Sequence, residues 1–301
     1  MQKKRLKINV NGLLLLDKPL GFSSNQALSK IKWLFTPFKA GHTGTLDPMA
    51  TGLLPICLGE ATKFSRFLLD ADKTYEAVIK LGYTSSTGDT EGEIIKSKNN
   101  NLPKLPELKK VLKKFTGKIN QLPPMYSALK HKGQPLYTFA REGVNIYRER
   151  RPIVIYKLDL MSYEKDLLRV MVRCSKGTYI RTLAEDIGNE LGVGGYLMRL
   201  RRTEIGTLNL KDSISLEELE KMKNKERLNL LRPISSLTAC FNDITLSRKD
   251  EVLIKNGQEL IINNKGAGYY SLFDSCGNFL GVGDLNEDCV LKVKRLMSTQ
   301  N

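Results

Sequence analysis

The sequence predicts an α+β fold with a large domain and a small β domain, on three observations. Residues 168–174 alternate: Leu168, Val170, Val172 and Cys174 stand against Arg169, Met171 and Arg173, the period of a half-buried strand. Two stretches keep the helical period instead: Leu108, Val111, Leu112 and Phe115 share one face, as do Ile180, Leu183, Ala184, Ile187 and Leu191. Beyond Arg232-Pro233 the texture changes to short strands and tight turns.

In chain order, Leu13–Leu16 reads as a buried strand ending at Asp17-Lys18-Pro19, and Ser24 as the cap of a helix with Leu28, Ile31 and Leu34 or Phe35 inward. Glu60–Leu69 reads as helical and Tyr75–Leu81 as a strand, and residues 82–101 are polar and turn-rich. The helix from Pro106 to Phe115 turns Lys109, Lys110, Lys113 and Lys114 outward, where they are free to meet phosphate. Residues 120–150 lack a period and close a basic, aromatic, loop-rich insertion of about 100–150. Ile153–Leu160 is the next strand, and the helix beginning near Ile180 stops at Gly192. Asn256-Gly257 predicts a two-residue hairpin within a separate β domain of residues 243–301, leaving 1–242 for the larger domain.

The 301 residues are 41% hydrophobic and 27% charged, an ordinary globular composition. No apolar run approaches the roughly 18 residues of a membrane span, and the N-terminal LLLL is too short for a signal-peptide core, so the expected compartment is the cytoplasm with no membrane partner. Cys57, Cys174, Cys240, Cys276 and Cys289 are scattered, odd in number and never in a CxxC pair, which predicts reduced thiols rather than disulfides or zinc. Lys and Arg number 48 against 32 Asp and Glu, a formal charge of +16 that calls for a polyanionic partner. The excess clusters at Lys3, Lys4, Arg5 and Lys7, on the 109–114 helix, at Arg148, Arg150 and Arg151, and at Arg199, Arg201 and Arg202, which together suggest a basic track.

The candidate chemistry lies in GHTGTLDPMATGLLP, Gly41–Pro55. Gly41, Gly44 and Gly52 supply backbone freedom and Pro48 keeps Asp47 out of the helical region, so the stretch predicts an irregular loop. An Asx-type turn cap is the ordinary use of such an acid. Two features oppose that use: Leu46, Met49, Leu53, Leu54 and Ile56 make the flanks apolar, where an unpaired charge would be costly, and His42 is one of two histidines in the chain. Other site types fail on spacing. Lys176-Gly177-Thr178 reverses the phosphate-loop order, Gly192–Gly195 has Leu197 where a third glycine belongs, the Asp89–Glu93 acidic run has its glycine too early for a calcium loop, and no GxSxG elbow is present.

GLLLLDKPLGFSS, GHTGTLDPMATGLLPICLGEATKF, DKTYEA, PPMYSALK, SKGTYIRTLAEDIG and LRRTEIG occur in that order, and over residues 12–206 the chain resembles the bacterial TruB-type tRNA pseudouridine-55 synthases. That resemblance implies a mixed, largely antiparallel sheet flanked by helices and loops, a PUA-like C-terminal module, and isomerisation of a T-loop uridine in tRNA without metal or organic cofactor. The expected partner is the tRNA T-arm and acceptor stem, engaged by a monomer, with assistance to tRNA folding as an accompanying role. An RNA-binding protein without chemistry is the rival reading.

Position by position, the resemblance makes Asp47 the nucleophile, attacking either the uracil ring or the ribose anomeric carbon, and Arg181 the cation that pairs with it. A carboxylate nucleophile has to be ionised, as carboxyl groups ordinarily are at neutral pH. Tyr75 matches the aromatic that stacks on the base with a part in proton transfer, Tyr179 and Leu200 match positions that bind the flipped uridine, and His42 matches the residue that enters the vacated stack. Lys18 is expected to support the site loop and Arg202 to contact phosphate. Glu91 stands where the family's acidic stretch carries an aspartate, while Asp89 keeps its place.

Overall fold

The computed structural model describes residues 6–99 and 101–298, so Lys3, Lys4 and Arg5 of the first basic cluster lie outside the described residues. The elements that matter for the site are β1 (Gly12–Lys18), α1 (Ser24–Phe35), β2 (Ala40–His42), β3 (Ala50–Leu58), β4 (Lys73–Leu81), α2 (Leu105–Lys114), β5 (Gly117–Gln121), β6 (Arg151–Glu164), β7 (Leu167–Cys174), α3 (Ile180–Glu190), β8 (Gly195–Ile205) and α4 (Arg248–Lys255). Two compact units result, one of Met1–Leu46, Leu53–Asp70 and Gly206–Asn301, the other of Asp47–Gly52 and Ala71–Ile205.

In the first unit β1 buries Leu13, Leu14, Leu15 and Leu16 in succession. A run buried on both faces is what a central strand requires. Helix α1 is capped by Ser23 rather than by Ser24: the Ser23 hydroxyl accepts from the Gln26 N–H at 3.2 Å and the Gln26 side chain accepts from the Ser23 N–H at 2.8 Å, a reciprocal capping box. Ser24 is thereby released for another use.

The stretch 41–55 is not a loop throughout. Only residues 43–49 lack regular structure, because β2 pairs with the end of β3, His42 facing Ile56. Glycine and proline marked the segment as a turn, but Leu53, Leu54, Ile56, Cys57 and Leu58 are wholly buried, and burial on both faces makes it a strand. Pro55 contributes its carbonyl, which accepts from the Thr43 N–H at 3.1 Å.

The second unit is built on a sheet ordered β3-β8-β4-β7-β6-β5, with only β3 and β8 parallel. Register fixes its buried face: Arg202, Tyr75 and Val172 stand in one row, Leu200, Ala77 and Val170 in the next. Helix α3 packs on β8 and β4, and α2 on β6. The predicted insertion is partly framework, since α2 and β5 belong to this layer, and among the described residues its remainder holds only a two-residue-strand hairpin at Lys130–His131 and Gln134–Pro135 and the short helix Leu136–Arg141. All four lysines of α2 are exposed, Lys114 pairing with Glu190.

The C-terminal residues carry a five-stranded sheet of their own, ordered Asn242–Thr245, Gly268–Phe273, Phe279–Leu285, Val290–Leu296, Leu260–Ile261. Its core is built from Ile244, Leu246, Ile254, Leu272, Leu285 and Leu291. Asn256-Gly257 is not a hairpin here: Asn256 ends α4 and Gly257 follows at φ 77°. A left-handed residue just past a helix asks for the same glycine as a tight hairpin does, so the dipeptide alone did not separate the two. Of the five cysteines, all free, Cys57 and Cys174 are buried deeply enough to push their thiols up to about 12.

Candidate active site

Asp47 sits in the turn that leads into β3, its own carbonyl accepting from the Ala50 N–H at 3.0 Å. Its Oδ2 lies 3.0 Å from Nε of Arg181, whose side chain is 6% exposed against 35% for Asp47. Arg181 belongs to the first turn of α3, where the helix dipole disfavours a cation. Its surroundings compensate: Nη1 stands 3.4 Å from Oδ2 of Asp89 and donates to the Thr87 carbonyl at 3.3 Å, while Nη2 donates to the Tyr126 carbonyl at 2.6 Å. The guanidinium fork is thus used on every side, and one edge is turned to the more accessible acid.

Asp89 is the member of this network that sequence reasoning left without a role. It is 1% exposed. Its Oδ1 accepts from the Thr87 hydroxyl at 2.6 Å and the Glu91 N–H at 2.9 Å, so the acidic turn folds around the carboxylate that backs Arg181. Glu185, one turn along α3 from Arg181, lies against the same turn; burial, then the neighbouring Asp186, pushes its carboxyl up to about 7, with Arg181 opposing. A carboxyl one helical turn after the arginine was the signal for Glu185, but on sequence alone it reads as the solvent face of α3.

Tyr75 faces the interior of the sheet at 9% exposure, with Arg202 beside it on β8 and Val172 on β7. Desolvation raises the phenol, and the charge and hydrogen bond of Arg202 pull against that, while Cys174 and Asp47 add to the rise. Arg202 itself is 1% exposed. The expected phosphate contact is therefore not open to it in this structure: strand period places it on the buried face, where its partner is the Tyr75 hydroxyl rather than solvent. Leu200, two residues earlier, is buried on the same face between Ala50 and Ala77.

Tyr179 is the N-cap residue of α3 and is held through its backbone: its N–H donates to Gln121 Oε1 at 2.8 Å and its carbonyl accepts from Gln121 Nε2 at 3.0 Å. The Gln121 carboxamide, 2% exposed at the end of β5, behaves as a peptide group would in a sheet ladder. Burial raises the Tyr179 phenol. Asp47, Tyr75, Arg181, Tyr179, Leu200 and Arg202 all belong to the second unit.

Lys18 and His42 belong to the first unit. Lys18 is fully buried at the end of β1 and donates from Nζ to the carbonyls of Pro19 and Phe22, so its charge shapes the turn before α1. His42 ends β2, half-buried, opposite Ile56. The same unit holds Ser24, whose hydroxyl bonds the backbone of Leu46 in both directions. Gln121 gave no sequence signal, and Ser24 read as a helix cap rather than as the partner of Leu46.

Comparison with known proteins follows the same residues. The family model described as TruB family pseudouridylate synthase (N terminal domain) matches residues 32–180, tRNA pseudouridylate synthase B C-terminal domain matches 181–238, and Pseudouridine synthase II TruB, C-terminal matches 243–297. The chain is 48% identical over 298 residues to the tRNA pseudouridine synthase B of Methylobacillus flagellatus, covering 99% of this chain and 98% of that protein. The chain belongs to the TruB family of pseudouridylate synthases. The TruB protein of Azoarcus sp. is 49% identical over 300 residues, at 100% and 99% coverage, and that of Pseudomonas fluorescens is 45% identical over 304 residues, at 99% of both chains. In fold, this TruB enzyme superposes on a chain from the crystal structure of a Cbf5-Nop10-Gar1 complex with a TM-score of 0.73, at 23% identity and covering 95% of this chain and 84% of that one. It is an isomerase with the α+β architecture the sequence predicted, a mixed and largely antiparallel sheet flanked by helices. Among the described residues no helix is long and apolar enough to cross a membrane.

Proposed function

We propose that this TruB enzyme isomerises uridine to pseudouridine at position 55 in the T-loop of tRNA, with Asp47 as nucleophile. The observation that carries the proposal is the Asp47–Arg181 pair: an accessible carboxylate on a turn, held at 3.0 Å by an arginine that is itself buried and anchored. A nucleophile needs a fixed direction and a stable charge, and Arg181 supplies both. Full-length identity to curated tRNA pseudouridine synthases B supports tRNA as the substrate.

A T-loop uridine has to leave its stack, at a cost of a few kcal/mol, and stacking on the Tyr75 ring returns roughly 1–3 kcal/mol of it. Asp47 then attacks the uracil ring or the anomeric carbon. The C1′–N1 bond breaks, the uracil turns, C1′ joins C5, the bond to Asp47 breaks and returns its carboxylate, the C5 proton is lost and N1 takes one up. Tyr179 and Leu200 hold the flipped base and His42 fills the space it leaves, while Lys18 supports the turn before α1. The exposed lysines of α2 and the +16 charge favour RNA phosphate, making affinity fall steeply with salt. Residues 1–242 form the catalytic domain and 243–301 a PUA-like module for the acceptor stem, a division supported by the separate C-terminal sheet and the family match that begins at 243. The enzyme acts as a cytoplasmic monomer.

The test is Asp47→Asn on a tRNA transcript, with modification mapped by mass. Conversion at position 55 should vanish while RNA binding survives. Wild-type conversion by the variant overturns the assignment of Asp47, and tRNA binding without pseudouridine formation by the wild-type protein establishes the RNA-binding rival instead.

A further inference from the structure

Arg202 is an arginine that costs much to bury and has been left without contact to solvent. Its place is set by two strands. On β8 it is directly opposite Tyr75 of β4, and on its other side it is opposite Gly52 of β3, where a Cβ would come within 2.3 Å of the Arg202 carbonyl oxygen. The neighbouring strands therefore fix its main chain, and its buried side chain lies in the row of Tyr75, whose phenol it hydrogen-bonds. A guanidinium is donor-only. The phenol oxygen must accept, and its own hydrogen is left to point elsewhere.

We propose that Arg202 is a positioning residue for the pseudouridylation reaction: by donating to the Tyr75 oxygen from within the sheet, it fixes the plane of the ring on which the uracil stacks and turns the phenol O–H toward the reacting base. This rests on the assignment of Asp47 and Tyr75 above and adds to it a residue that never touches RNA. A structural arginine would be indifferent to whether the tyrosine carries a hydroxyl. A positioning arginine acts only through that hydroxyl.

The experiment is a double-mutant cycle of Arg202→Met and Tyr75→Phe, read as single-turnover rate with excess enzyme on a full tRNA transcript, alongside Kd for the same RNA. Arg202→Met should slow conversion tenfold to a hundredfold with Kd changed less than twofold, and should slow it less than twofold further in the Tyr75→Phe background. Equal losses in both backgrounds, or a loss carried by Kd, overturn the proposal. Should Arg202→Met fail to fold, Arg202→Lys replaces it in the same cycle: a loss present beside Tyr75 and absent in the Tyr75→Phe background supports the role, and an equal loss in both refutes it. Asp47→Asn is measured in parallel, so that an active Asp47→Asn enzyme condemns the assignment of the nucleophile, whereas an inactive one with an additive cycle condemns the role of Arg202 alone.

Discussion

Ser24 and Leu46 exchange two hydrogen bonds, the Leu46 N–H donating to Ser24 Oγ at 2.8 Å and the Ser24 hydroxyl donating to the Leu46 carbonyl at 3.0 Å. Both residues are buried, and Leu46 is the residue before Asp47. One side chain thus satisfies both backbone groups of the residue that precedes the nucleophile.

Ser24→Ala leaves a buried N–H and carbonyl without that partner, at roughly 1–3 kcal/mol of stability. Denaturant unfolding should show the loss. The single-turnover rate should fall by more than tRNA affinity, since Asp47 would be misdirected while the basic surface is unchanged.

Arg181→Met should be among the most destabilising substitutions in the chain. It strands Asp89, 1% exposed, without its cation, and breaking a buried pair in this way costs about 3–5 kcal/mol. Arg181→Lys keeps the charge but cannot reach Asp47, Asp89 and two carbonyls together. Its unfolding midpoint should lie between wild type and Arg181→Met, while its catalytic rate should stay near that of Arg181→Met.

Gln121→Glu keeps an acceptor for the Tyr179 N–H but loses the donor to the Tyr179 carbonyl, whereas Gln121→Ala loses both. Both variants should raise the KM for tRNA, the alanine more. Equal KM values for wild type and Gln121→Ala would remove Gln121 from the binding machinery.

Glu185 gives a pH dependence of defined sign. Its folded pKa of about 7 lies above the ordinary 4.5, so between those values the folded state holds more protons than the unfolded state. Stability from this group is therefore present at low pH and is lost as pH rises through about 4.5 to 7. Glu185→Gln should flatten the decline in urea midpoint across that window and be the more stable protein at pH 8.

Strand β7 and helix α3 were legible because each keeps one period from end to end. Strand β8 was not, since register shifts between Leu197 and Arg199 and between Arg202 and Glu204 break its alternation, and arginine on an inward row reads as solvent-facing. Leu200 and Arg202 themselves lie in unbroken register, so it was the charge of Arg202, not its period, that hid its burial. Asp47 was legible as an acid in an apolar turn, but its pairing with Arg181 joins residues far apart in the chain, and only the family motifs pointed to it. Gln121 and Ser24 act through backbone groups, which no side-chain pattern encodes.

Gly52 has a consequence for how the gene can vary. Its φ of 102° and the 2.3 Å approach to the Arg202 carbonyl close the position to every side chain, alanine included. In a library saturating residues 43–58, codon 52 should return glycine alone, and suppressors of Gly52→Ala should fail to appear at Arg202, because the obstruction there is main chain and no change of residue removes it.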